Sequence, residues 1–150
     1  MPQSLSCVII HIIFSTKDRY PFINDAIETD LYSYLAAILQ QVKCPAILIN
    51  GMPDHVHILC NLSRTISIAK LLEEVKKSSS KWIKTKGGIH QKFHWQAGYG
   101  VFSVSQTKVQ SVKTYIQNQK DHHRTKTFQD EFREFLSANG VDYDEKYVWD

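Results

Sequence analysis

Cysteine is scarce in this chain of 150 residues. There are three, Cys7, Cys44 and Cys60, far apart and in no CxxC pair. An odd number of isolated cysteines argues against a disulfide framework and fits a reducing compartment, so a cytoplasmic location is expected. Long apolar runs are missing too. The longest, Val8 to Phe14, is broken by His11 and falls far short of the roughly 20 residues of a membrane span, so no membrane partner is expected. Met1-Pro2-Gln3-Ser4 lacks the basic start of a signal peptide. There is no internal repeat and no low-complexity segment. What is present is 43% hydrophobic and 22% charged, the balance of a soluble folded chain, and the length suits one domain around one continuous core.

The net charge of +3 is small but unevenly placed. From Arg64 to His94 there are eight Lys or Arg against Glu73 and Glu74. From Phe128 onward there are seven acids against Arg133 and Lys146. A basic middle with an acidic tail suggests a polyanion on one face; a plain solvated helix face is the other reading.

The hydrophobic pattern predicts an order of elements. Leu5 to Ser15 is β-branched and apolar and reads as a central strand, ended by Thr16-Lys17-Asp18-Arg19. Asn24 is a candidate cap for a helix to about Lys43, with Ile27, Leu31, Leu35, Ile38 and Val42 on its apolar stripe. Ala46 to Asn50 and His55 to Leu62 read as two strands joined by Gly51-Met52-Pro53-Asp54. Ser67 to Thr85 reads as a second helix that Gly87-Gly88 stops. After a loop, Val101 to Val104 is a short strand, and Ser105 is placed to cap a third helix with Val109, Val112 and Ile116 inward. A short helix around Asp130 to Asn139 precedes the acidic tail. The expected fold class is α+β: a ferredoxin-like β-α-β-β-α-β antiparallel sheet with an additional C-terminal helix, two helices on one face and the other face free for a ligand or a later helix. Residues 1–127 form the expected domain, with 128–150 a short helix and acidic tail of the same domain.

Two stretches carry chemistry. In Asp54-His55-Val56-His57-Ile58-Leu59, alternation along a strand puts His55 and His57 on one face and Val56 and Ile58 on the other. Two such imidazoles can converge on one divalent metal, or they are simply two half-exposed histidines. In Thr114-Tyr115-Ile116-Gln117-Asn118-Gln119, Tyr115 and Gln119 stand at i and i+4 and share a helix face, which His122 continues. A tyrosine hydroxyl beside a metal-binding amide suits attack on a phosphodiester; a boundary tyrosine with its polar tip in water is the bland alternative.

Taken together, the two stretches resemble the single-tyrosine HUH transposases of the smallest bacterial insertion sequences and the related REP-associated tyrosine transposases. His55-Val56-His57 matches the His-hydrophobe-His motif. His11 to Arg19 resembles the family's first strand and basic loop, Gly51 to Leu59 its central hairpin, Lys76 to Trp82 its basic helix, and Trp95 to Ser105 its lead into the tyrosine helix. The resemblance covers about Leu5 to His123. It implies a DNA transposase that cleaves and rejoins single-stranded DNA through a 5′-phosphotyrosine and a free 3′-hydroxyl. It implies Tyr115 as the catalytic nucleophile, His55, His57 and Gln119 as ligands of Mg²⁺ or Mn²⁺, and the third helix as the catalytic one. It further implies single-stranded DNA with hairpin, palindromic ends as partner, and a homodimer whose sites are completed in trans, with Gly98 and Gly100 as a flexible lead. Lys17, Arg19, Lys76, Lys77, Lys81, Lys84 and His122 are candidate DNA contacts.

Other readings stand beside this one. A domesticated HUH endonuclease acting on palindromic repeats would carry the same site. A ferredoxin-like RNA-binding module without catalysis is suggested by Gly98-Tyr99-Gly100-Val101-Phe102, but that match follows the second helix rather than preceding it. A metal-binding protein without catalysis would need neither Tyr115 nor Gln119. His11 is either a buried, hydrogen-bonded histidine or a neighbour of the site. His90, His94 and Trp95 either line DNA or pack the loop.

Overall fold

The computed structural model describes residues 1–150. Four strands, β1 (Ile9–Ser15), β2 (Ala46–Met52), β3 (His55–Asn61) and β4 (Gly100–Val104), form one antiparallel sheet in the order β2-β3-β1-β4. This is the ferredoxin-like arrangement the sequence predicts. Helices α1 (Glu28–Gln41) and α2 (Ile68–Lys84) cover one face. The main core lies between them and the sheet, where Ile10, Ile12, Phe14, Val56, Ile58 and Cys60 meet Leu31, Leu35, Leu39, Leu71, Leu72 and Val75.

The opposite face is covered by α3 (Val109–Gln117), α4 (Gln119–His122) and α5 (Phe128–Ala138). Ile116 of α3 packs on Ile9 and Leu59, while Phe128, Phe132 and Leu136 of α5 pack on Ile13 and Phe102. Of the two occupants expected for this face, a ligand or a later helix, this chain's own later helices fill it. No helix is long and apolar enough to cross a membrane.

Local chemistry sets the ends of the elements. Ser67 caps α2 by accepting from Lys70 N–H, and Thr127 caps α5 by accepting from Asp130 N–H. The first strand begins at Ile9 rather than Leu5, since Leu5 and Val8 are exposed and find no core. The first helix begins at Glu28 rather than after Asn24. The Asn24 carbonyl accepts from Ile27 and Glu28 N–H, so a turn comes before the helix proper. The hairpin turn is tighter than expected: Met52 pairs with His55, and Pro53-Asp54 alone make the turn. The third helix breaks at Asn118 (φ −93°, ψ 19°) into α3 and α4, and Ser105 opens a 3₁₀ turn without side-chain capping.

Gly98 and Gly100, the expected flexible lead, are both engaged in this structure. Gly98 N–H donates to the Asp150 carbonyl, and Gly100 lies inside β4 beneath Phe132, where a Cβ would stand 2.7 Å from a ring carbon.

Candidate functional site

Strand alternation delivers the histidines. Val56 and Ile58 enter the core, and His55 and His57 point to the α3–α5 face, where both are fully buried rather than half-exposed. His57 is paired with Ile13, so His11, two residues before Ile13 on β1, is its diagonal neighbour. His11 Nε2 lies 2.8 Å from His57 Nδ1. His11 is thus both buried and a partner of the site. His55 Nδ1 is held 2.7 Å from the Asp54 carboxylate. Each histidine of the pair is anchored through Nδ1 and presents Nε2 to a common centre, the orientation that outer partners give metal-binding imidazoles.

The helices close that centre. Asn50 of β2 donates to the Ile116 carbonyl at 2.9 Å, pinning the end of α3. Lys120 of α4 reaches Glu28 at 2.7 Å. Across the Asn118 break the expected face survives: half-buried Tyr115 places its hydroxyl 3.0 Å from His122 Nε2, and buried Gln119 places Oε1 3.0 Å from His55 Nε2.

The centre also holds two residues that sequence reasoning did not assign to it. Glu131 of α5 is fully buried. Its Oε1 lies 2.9 Å from His57 Nε2 and 3.4 Å from His55 Nε2. Its Oε2 accepts from the Tyr115 hydroxyl, accepts from Gln119 Nε2 at 3.1 Å, and lies 3.2 Å from His123 Nε2. One ligand atom from each of His55, His57, His123 and Glu131 falls within 4.8 Å of the others. Glu131 sits in an acidic segment 74 residues from His57, and its only advance signal is placement on the inward stripe with Phe128, Phe132 and Leu136.

Electrostatics follow from this packing. Burial alone would push the Glu131 carboxyl up, but hydrogen bonds from His123, His55 and His57 outweigh it and hold the group well below the usual carboxylate range. Burial lowers His55, yet Asp54 and Glu131 prevail and raise it to about 9. His57, with no such pair of carboxylates, is carried down to about 4 by burial. His11 is lowered by burial and then by His57. The Tyr115 phenol is pushed up, first by burial and then by its bond to Glu131.

The candidate DNA contacts are scattered. Lys77, Lys81 and Lys84 are exposed on α2, on the sheet face away from the histidines. Lys76 is engaged elsewhere: its ammonium donates to the carbonyls of Gln96 at 2.8 Å and Gly98 at 2.6 Å, clamping the lead into β4 instead of lying free for a phosphate. His94 is exposed, while Trp95 packs in the core against Phe14 and Phe93, and buried His90 bonds the Phe22 carbonyl at 2.8 Å, so both serve the loop. Lys17 and Arg19 lie in a turn beside the β2–β3 hairpin. There Asp18 and Arg19 both adopt left-handed φ of 56° and 57°, a conformation costing on the order of 1–3 kcal/mol per residue.

The family model for IS200-like transposases matches residues 4–119. The ISDra2 transposase TnpA of Deinococcus radiodurans is 24% identical over 116 residues, spanning 74% of this chain and 83% of that protein. A Deinococcus radiodurans R1 crystal structure assigned as a transposase superposes with a TM-score of 0.62 at 24% identity, covering 79% of this chain and 98% of that one. The structure of a REP-associated tyrosine transposase bound to a REP hairpin gives a TM-score of 0.54 at 12% identity, covering 79% of this chain and 68% of that one. Helix α5, with Glu131, lies beyond the matched residues.

Proposed function

This chain belongs to the IS200-like transposase family, and on that premise we propose that it cleaves and rejoins single-stranded DNA by attack of the Tyr115 hydroxyl on a phosphodiester. The product is a 5′-phosphotyrosine and a free 3′-hydroxyl, and the reverse attack by a 3′-hydroxyl rejoins strands without an external energy source. The observation that carries the reading is the meeting of Tyr115 with the histidine pair: its hydroxyl donates to Glu131, whose other oxygen faces His57 and His55.

The nitrogen and oxygen donors fit a divalent metal, with His55, His57 and Gln119 as ligands and Glu131 and His123 in position to add to them. Imidazole donors favour Mn²⁺ beside Mg²⁺. Bound there, such an ion supplies Lewis-acid polarisation of phosphate oxygens. The chain's own groups do the rest. Asp54 and His11 orient the imidazoles, Gln119 fixes its amide between His55 and Glu131, and Glu131 and His122 stand within reach of the phenol proton. A phenol is protonated at neutral pH, so attack requires such an acceptor.

The substrate class is single-stranded DNA with hairpin ends, in keeping with the hairpin complex of the REP-associated neighbour. Residues 1–127 and the 128–150 segment act as one domain, since α5 supplies Glu131 to the site. An RNA-binding sheet is disfavoured because α3, α4 and α5 cover the face it would use.

Incubation with single-stranded DNA taken from the sequences that flank the gene should give a covalent adduct that Tyr115→Phe abolishes. His55→Ala and His57→Ala should abolish cleavage, and Gln119→Ala should reduce it less. The resemblance favours a homodimer completed in trans, whereas within one chain Tyr115 already reaches its own histidine site. A mixed dimer of Tyr115→Phe and His55→Ala decides: in trans about half of the activity returns, by counting of independent sites, and in cis none does.

A further inference from the structure

Among the buried side-chain nitrogens, Arg19 Nη1 has no hydrogen-bond partner, whereas His123 Nε2 faces the Glu131 carboxylate at 3.2 Å. Unpaired buried polar groups are rare and each calls for an explanation. Both residues line the same cavity, of about 580 Å³, between the strained Lys17–Arg19 turn, the Pro53-Asp54 hairpin turn and the start of α5. The His123 side chain is only 5% exposed.

The cavity's charge is lopsided. Arg19, Arg124 and Lys126 line it with a single acid, Asp54, which already holds His55. Arg124 is paired with Asp121 and Lys126 with Glu134, and Arg19 Nη1 is left without a partner. Thr127, the cap of the 11-residue helix α5, is on the wall, so the positive end of that helix adds to the field. Two wall residues also belong to the tyrosine site: Asp54 orients His55, and His123 approaches Glu131. The cavity therefore adjoins the tyrosine site through Asp54 and His123.

We infer that this cavity is a second phosphate subsite, which seats a neighbouring nucleotide of the substrate strand by its phosphodiester on Arg19 and Arg124. Arg19 reaches it from the left-handed turn at Asp18 and Arg19. The inference rests on single-stranded DNA being the substrate, and it adds a fixed second point that sets the strand's register past Tyr115.

The test uses full-length Tyr115→Phe protein in EDTA, so that binding is read without cleavage. The probe is a fluorescein-labelled oligothymidylate of about 12 nucleotides, within the usual span of single-strand sites, and affinity is followed by anisotropy against salt. Arg19→Gln and Arg124→Gln should each lower the slope of log K against log salt by about 0.7, the share of one phosphate on a single strand. Arg19→Lys should keep most of the slope. Arg124 is 78% exposed, so its loss cannot act through unfolding. An unchanged slope in Arg19→Gln overturns the inference. So does an equal loss in Arg19→Lys, which would assign the effect to the turn itself. Competition by inorganic phosphate separates the sources. If phosphate stabilises the protein through Arg19 while oligothymidylate binding ignores Arg19, the cavity is a free-anion site and the inference falls. Failure here leaves the tyrosine chemistry standing, and absence of a tyrosine adduct leaves this binding result standing.

Discussion

Replacing Glu131 by glutamine keeps the side chain's shape and removes its charge. The carboxylate is fully buried and faces His55, His57, His123, Tyr115 and Gln119. Breaking a buried charged network by removing one partner costs about 3–5 kcal/mol. His55 keeps Asp54 at 2.7 Å, which puts the expected loss at the lower end, about 3 kcal/mol. For a chain of this size that is a fall of roughly 6–12 °C in melting temperature. The second effect is on metal. At a concentration one hundred times Kd, a bound ion stabilises by about 2.7 kcal/mol. A 10- to 100-fold loss of affinity, typical when a partner of a metal site is removed, would cut this to between about 1.4 and 0.4 kcal/mol. Melting curves of wild type and Glu131→Gln, in EDTA and in Mn²⁺, read both effects separately. A variant that melts within about 2 °C of wild type in EDTA, and gains as much from Mn²⁺, would refute the assignment of Glu131 to the centre of the site.

Gly51→Ala should weaken both fold and site, because its Cβ would stand 2.3 Å from the His55 carbonyl and 3.0 Å from Val56 Cα. Forcing the hairpin apart costs about 1–3 kcal/mol, and the displaced His55 should lower the Mn²⁺-induced rise in melting temperature; a neutral result would contradict the close packing. Thiol titration at pH 8 should find one fast-reacting cysteine, Cys7, since Cys44 and Cys60 are buried and burial, then Cys44, pushes the Cys60 thiol up to about 12. An unfolded thiol ionises near 9.0, so between there and about 12 the folded chain binds the extra proton and this group's contribution to stability falls as pH rises. Comparing the alkaline unfolding of wild type with Cys60→Ala checks that sign, the variant showing the shallower decline.

The sheet order and the outward pairing of His55 with His57 were legible because both rest on local periodicity: alternation around Val56 and Ile58, and a 3.6-residue stripe in Leu31, Leu35 and Ile38. Tyr115 and Gln119 were legible for the same reason, since i and i+4 face together even though the helix breaks at Asn118 between α3 and α4. Glu131 was not. Its meeting with His57 depends on α5 crossing a sheet face whose occupant no local pattern names, and its acidic neighbours Asp130 and Glu134 disguise it as part of a solvated tail. Lys76 shows the converse. Its charge run reads as a free basic face, and only the folded chain reveals three carbonyls gathered around one ammonium.

The central claim is that Tyr115 becomes covalently joined to DNA. Wild-type protein is incubated with Mn²⁺ and single-stranded DNA from the sequences flanking its gene, digested with trypsin, and the peptide containing Tyr115 is examined by mass spectrometry. The account predicts a nucleotide phosphate on Tyr115, absent in Tyr115→Phe and absent in EDTA. A DNA adduct that persists in Tyr115→Phe, or that maps to another residue, would contradict it.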